Sequence, residues 1–255
     1  MGAGHAHPLY VHGHSRVHRL APEVKVAGAV AFVFAVAITP REAVWAFAVH
    51  AAVLAATIAC SGIRARFIAT RLTVIVPFVA FALFIPFVAT GERIEVLGLS
   101  LSREGLWGMW NVLAKAGLGA TVSILLAATT EIPRLLTGLG RLRVPPALTM
   151  IASFMVRYLE LLAGEVRRMR IAMASRGYAP RWLWQARPVA TSAGALFIRS
   201  YERGERVHAA MLSRGYTGVM PEIDEHRASV GAWLGAAVVP VTAWVVAVTA
   251  LVVQS

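Results

Sequence analysis

Ala172-Met173-Ala174-Ser175-Arg176-Gly177-Tyr178 returns 38 residues later as Ala210-Met211-Leu212-Ser213-Arg214-Gly215-Tyr216, identical at six of seven positions. Each copy reads as the end of a helix, because glycine adopts the left-handed conformation without steric cost and so commonly stands just past the last turn. Pro180 follows the first copy, and Gly218 and Pro221 follow the second. Upstream of Gly177 the only breaker before Pro146 is Gly164, which predicts one helix of ~30 residues and ~45 Å. The second copy closes a helix predicted from about Ala190.

An arginine in a final turn, followed by a glycine that halts the helix, leaves a guanidinium unshielded at the tip. Such a tip can enter a groove and bond a carboxylate through two parallel hydrogen bonds. Two matched tips suit a partner with two equivalent grooves, as a dimer has. Favourable charge on a helix dipole would account for one Arg–Gly pair, but not for the repeated Ala-Met before it and the Tyr after it. Binding of anionic lipid is a weaker alternative.

Around this arginine-rich stretch the chain is apolar: 58% of its 255 residues are hydrophobic. Five runs approach the ~20 residues that a helix needs to cross hydrocarbon. They lie at about 24–38, 43–60, 67–90, 105–129 and 229–253. Arg16, Arg19 and Lys25 before the first run, with Ala35-Val36-Ala37 near its end, resemble a secretory signal. The charged region is too long for that, and four more runs follow, so an uncleaved first span is expected. Gly231 and Gly235 form a GxxxG pair, read as packing within the chain rather than a dimer face. The expected fold is all-α and polytopic, with about five transmembrane helices and a cytoplasmic helical coupling domain between the fourth and fifth. The divisions are 1–23 (a histidine-rich N-terminal segment), 24–129 (four spans), 130–228 (coupling helices) and 229–255 (the last span). A shorter helix, Ile132 to Leu142, opens the coupling region with Leu135, Leu136, Leu139 and Leu142 on one face, as for a helix lying along a membrane.

The net charge is +12, and 23 of the 25 basic residues are arginine. Residues 130–228 hold 15 Arg against 8 acidic residues, whereas Arg41 is matched by Glu42, and Arg93 and Arg103 by Glu92, Glu95 and Glu104. The positive-inside rule then puts the N-terminus, the 61–66 turn and residues 130–228 in the cytoplasm. The 39–42 turn, the 91–104 loop and the C-terminus fall outside the cell.

Catalytic signatures are missing. There is no G-x-x-x-x-G-K-[ST] loop for ATP, no G-x-S-x-G elbow and no H-E-x-x-H. Cys60 is the only cysteine and is read as packing. The ionisable residues inside the runs, His50, Arg71 and Lys115, have no evident partners in the sequence. His5, His7, His12, His14 and His18 crowd the N-terminus and are read as a solvated tail. No cofactor, metal site or nucleic-acid interface is expected on this chain.

The twin Ser-Arg-Gly motifs, the segment Leu9-Tyr10-Val11 through His18-Arg19-Leu20-Ala21-Pro22-Glu23-Val24-Lys25, Thr39-Pro40-Arg41 and Thr129-Thr130-Glu131-Ile132-Pro133 together carry a resemblance. Over nearly its whole length the chain resembles the transmembrane T component of energy-coupling factor (ECF) transporters, most of all the cobalt-type, CbiQ-like branch. The resemblance implies a non-catalytic coupling subunit of an ABC importer. Such a subunit joins two ATP-binding-cassette ATPases, which hold the ATP and magnesium, to a substrate-binding integral membrane subunit. It implies that Ser175, Arg176, Gly177, Ser213, Arg214 and Gly215 dock the ATPases, although the family usually has alanine where Ser175 and Ser213 stand. The apolar half of the long helix, about Leu148 to Leu162, is then the surface for the substrate subunit, with Met150, Phe154, Met155 and Tyr158 as its contacts. Cobalt or nickel is the implied cargo, a vitamin such as biotin the alternative. From other classes, a membrane enzyme gripping an anionic lipid or nucleotide lacks any acid–base constellation. A stand-alone carrier lacks inverted repeats.

Overall fold

The computed structural model describes residues 10–96, 99–178, 182, 186–218 and 228–254. Leu9, His5, His7, Pro180 and Pro221 lie outside these. The chain divides into two compact units, Met1–Leu142 with His226–Ser255, and Arg143–Glu225.

The first unit is built on helices. A single turn α1 (Arg16–Arg19) leads into α2 (Pro22–Ile38), whose Pro22 stands in the first turn, where its missing N–H costs nothing. α3 (Val44–Ser61) stops at Gly62, φ +70°. α4 (Ala65–Arg71) passes through a 3-10 turn (Leu72–Ile75) into α5 (Val76–Val88). The tightening falls just before Pro77, which cannot donate to the preceding turn. α6 (Arg103–Thr129) starts at Ser102, whose Oγ accepts the Gly105 N–H, and α10 (Val230–Gln254) closes the unit.

Among the described residues, five helical stretches are long and apolar enough to cross a membrane: Val44–Ser61, Ala65–Val88, Arg103–Thr129, Pro146–Ser175 and Val230–Gln254. The chain is therefore an all-α, multi-pass membrane protein. This set differs from the expected one at two places. The expected first span, α2, is not in it: with 17 residues it sits at the short limit of the ~17–25 that a span takes. Pro146–Ser175 enters it through the apolar half of the long helix.

Where a polar loop was expected, strands β1 (Arg93–Val96) and β2 (Leu99–Ser102) form an antiparallel hairpin with Arg93 opposite Ser102. Its residues alternate between apolar and polar, the period of a strand.

The core of this unit joins α2, α3, α6 and α10 through Phe32, Ala35, Phe47, Leu54, Val122, Leu125, Ala243 and Ala247. Close approach of α10 comes from Ala243, Ala247 and Ala250, all fully buried. The expected glycine pair does not supply it: among the described residues Gly231 meets only Ser229 and Gly235 meets none. The ionisable residues of the spans do have partners. Lys115 Nζ donates to the Ala37 carbonyl at 2.8 Å, His50 Nε2 meets Thr39 Oγ1 at 3.1 Å, and Arg71 lies over the Phe67 ring.

The described part of the segment expected to be a solvated tail, from Tyr10 on, belongs to this packing instead: the Val11 N–H bonds the Ala128 carbonyl at 3.0 Å and His18 is buried. His18 Nε2 bonds the Val11 carbonyl at 3.0 Å, and its Nδ1 meets Ser15 Oγ at 2.7 Å. Burial, with Lys25 and His14 nearby, holds its pKa below that of a free histidine.

Candidate functional site

The second unit holds the repeated motif. α8 (Pro146–Ser175) and α9 (Arg187–Leu212) both end as the sequence requires. At the first end the Tyr178 N–H bonds the Met173 carbonyl at 3.1 Å and the Gly177 N–H bonds Ala174 at 3.0 Å. At the second, Tyr216 bonds Met211 at 3.1 Å and Gly215 bonds Leu212 at 3.0 Å. Gly177 has φ +78° and Gly215 φ +80°. This is the Schellman closure, in which a left-handed residue lets two amides turn back onto carbonyls of the last turn. The two ends are geometric copies.

Both arginine tips, Arg176 and Arg214, are exposed. Ser175 Oγ donates to the Ile171 carbonyl and Ser213 Oγ to that of Ala210, so each serine hydroxyl is held on its own helix.

α8 and α9 run antiparallel. Ser192 Oγ meets Met173 Sδ at 3.7 Å, Arg203 Nη2 meets Glu165 Oε1 at 2.7 Å, and the Tyr216 hydroxyl donates to Met150 Sδ. Contacts thus advance along one helix as they retreat along the other. The two arginines accordingly lie at opposite ends of the pair, 11 residues beyond Glu165 and 11 beyond Arg203, or about 16 Å each from the crossing.

Glu165 is the only buried residue among those described in this unit. Its Oε2 and Arg203 Nη1 find no further partner among the described residues. The sequence pointed to neither as a pair, although their separation equals that of the motifs. Beside them, Met150, Phe154, Tyr158, Met211 and Tyr216 line a cleft of about 300 Å³, in which the rings of Phe154 and Tyr158 stack. Met155 is not among its lining residues and is 68% exposed. It belongs to an uncovered apolar stripe with Leu148, Ile151 and Leu159, residues at the spacing of one helix face.

No cluster of His, Cys, Asp or Glu among the described residues has the form of a metal site. Residues 13–225 match the family model described as CbiQ, cobalt transport protein. The chain is similar to the cobalt transport protein CbiQ of Rhodobacter capsulatus, 31% identical over 140 residues, which are 52% of this chain and 57% of that one. It is 28% identical over 166 residues to an uncharacterized protein of Methanocaldococcus jannaschii, 60% of this chain and 56% of that one. In both cases the match spans little more than half the relative's length. The transmembrane protein EcfT of the energy-coupling factor transporter of Thermosediminibacter oceani is matched more fully, at 29% identity over 223 residues, 82% of this chain and 83% of that one. A match that runs from residue 13 through α2 to α6 and both Arg–Gly helix ends, stopping short of α10, places the chain in the CbiQ cobalt transport protein family.

Proposed function

We propose that this chain is the coupling transmembrane subunit of an ECF-type ABC importer, with Arg176 and Arg214 docking two ATPase subunits. The observation that carries the reading is the pair of copied helix ends, each an exposed guanidinium on an identical Schellman closure. Ser175, Gly177, Ser213 and Gly215 shape those ends. Their placement at opposite ends of an antiparallel pair suits two separate grooves rather than one. The chain itself binds no ATP; ATP and magnesium belong to the partners.

The uncovered stripe of α8, Leu148, Ile151, Met155 and Leu159, offers a surface for the substrate-binding membrane subunit. A helix pair whose one buried residue is a glutamate lacks an apolar core of its own, so covering that stripe with a partner would stabilise it. Met150, Phe154 and Tyr158 face α9 instead and would support that surface from behind. Cobalt is the proposed cargo, favoured by the family's description and by the CbiQ relative. In this reading the N-terminus and residues 130–228 are cytoplasmic.

The test is Arg176→Glu with Arg214→Glu, expressed in the native host together with its ABC-type ATPases and purified in mild detergent. The tagged wild-type chain should bring the ATPases with it. The double variant should keep wild-type yield and melting behaviour and lose them. ATPases retained at wild-type stoichiometry would remove the docking role.

A further inference from the structure

The segment Pro22-Glu23-Val24-Lys25 is not accounted for by docking. In the structure it is a junction. Lys25 Nζ donates to the carbonyls of His18 at 3.1 Å and Thr129 at 2.9 Å, and to Thr130 Oγ1 at 3.2 Å. It thereby closes the ends of α1 and α6 together, on carbonyls that a helix terminus leaves unsatisfied.

Glu23, two residues earlier, is 4% exposed although it is charged. Arg141 Nη1 reaches its two carboxylate oxygens at 3.4 and 3.3 Å, and both side chains are at least nine-tenths buried. Arg141 is the last residue of α7 (Ile132–Arg141). The Ala228 N–H donates to Glu23 Oε1 at 2.9 Å, and Ala228 leads into α10. α7 lies on this corner so closely that a Cβ at Gly138 would stand 2.8 Å from the Glu23 nitrogen and the Pro22 carbonyl carbon.

These partners hold a special position in the chain. The Arg143–Glu225 unit begins two residues after Arg141 and ends three residues before Ala228. Arg143 itself has φ +66°, the one described non-glycine residue with a left-handed backbone, a conformation that the surroundings must impose. One carboxylate therefore grips the chain on both sides of the unit that carries the arginine tips.

We propose that Glu23 is the positioning residue of coupling: it ties both connections of the 143–225 unit to the start of α2, so that displacement of that unit pulls on the membrane helices at this point. The proposal rests on the docking reading above for the source of the displacement. The grip itself does not.

Hydrogen exchange on the full assembly in nanodiscs, with and without a non-hydrolysable ATP analogue and magnesium, tests it. In the wild type the nucleotide should alter exchange at Ile132–Leu142, at Ala228–Val230 and at Pro22–Val26 together. In Glu23→Ala the ATPases should still co-purify. The response should remain in α8 and α9, and the Ala228 amide should exchange about tenfold faster in either state. The exchanged pair Glu23→Arg with Arg141→Glu should restore protection of α7 but not of Ala228, whose acceptor has moved.

A Pro22–Val26 response in Glu23→Ala equal to the wild type would overturn the proposal. So would its absence in the wild type, or full recovery in the exchanged pair. Failure of the wild-type chain to hold ATPases would count against docking alone. The isolated chain would then still show whether loss of Glu23 releases both connections at once.

Discussion

At the scale of single residues, the two tips depend on glycine. With φ near +80° at Gly177 and Gly215, a Cβ costs roughly 1–2 kcal/mol, even though neither position has a neighbour to clash with among the described residues. Gly215→Ala should therefore let α9 fray or run on, and redirect Arg214. The expected loss of about 1 kcal/mol corresponds to roughly fivefold weaker association with an ATPase subunit. Titration of the variant against the purified ATPase checks it, and unchanged affinity would show that the cap does not aim the arginine. Gly177→Ala should act in the same way at the other tip.

Much at this scale was legible in the sequence. Ser-Arg-Gly announces its own geometry, because the left-handed residue and the turned-back amides are local. The role of Glu23 was not legible, since its partners stand 118 and 205 residues away and no periodicity records such a bond. The same holds for Lys115, whose acceptor is a main-chain carbonyl 78 residues distant.

At the scale of elements, helix ends followed from their breakers, and α8 begins at Pro146 and stops at Ser175 as the intervals between Pro and Gly require. The hairpin at 93–102 was missed because that stretch was weighed by its charge. Its alternation, Ile94-Glu95-Val96 and Leu99-Ser100-Leu101-Ser102, is the signal that identifies it. The place of α7 was half legible. Its leucine face was plain, but its docking depends on Gly138, where only the absence of a side chain lets α7 and α2 meet. Gly138→Val should force the two apart and cost about 1–3 kcal/mol, as overpacking does. The consequence is a lower melting temperature in detergent and faster proteolysis near Arg141. A wild-type melt would mean that the contact gives way without penalty.

At the scale of the whole molecule, the proposed cytoplasmic placement of residues 130–228 has a direct test. In a Cys60→Ala background, Glu92→Cys should react with a membrane-impermeant maleimide applied to intact cells. Glu202→Cys should react only after the membrane is opened. The reverse pattern would invert the topology and place the arginine tips where no cytoplasmic ATPase could reach them.

The pairing of Glu165 with Arg203 joins positions 38 residues apart, the spacing that separates the two motifs. Corresponding points of the repeat meet each other at the crossing, and the tips diverge from it by equal lengths. A single asymmetric chain thus carries a local dyad. Under the docking proposal, a two-fold partner would present the same face to each tip, so that one copy of this subunit would saturate one pair of ATPases, and two identical ATPases would serve as well as two different ones.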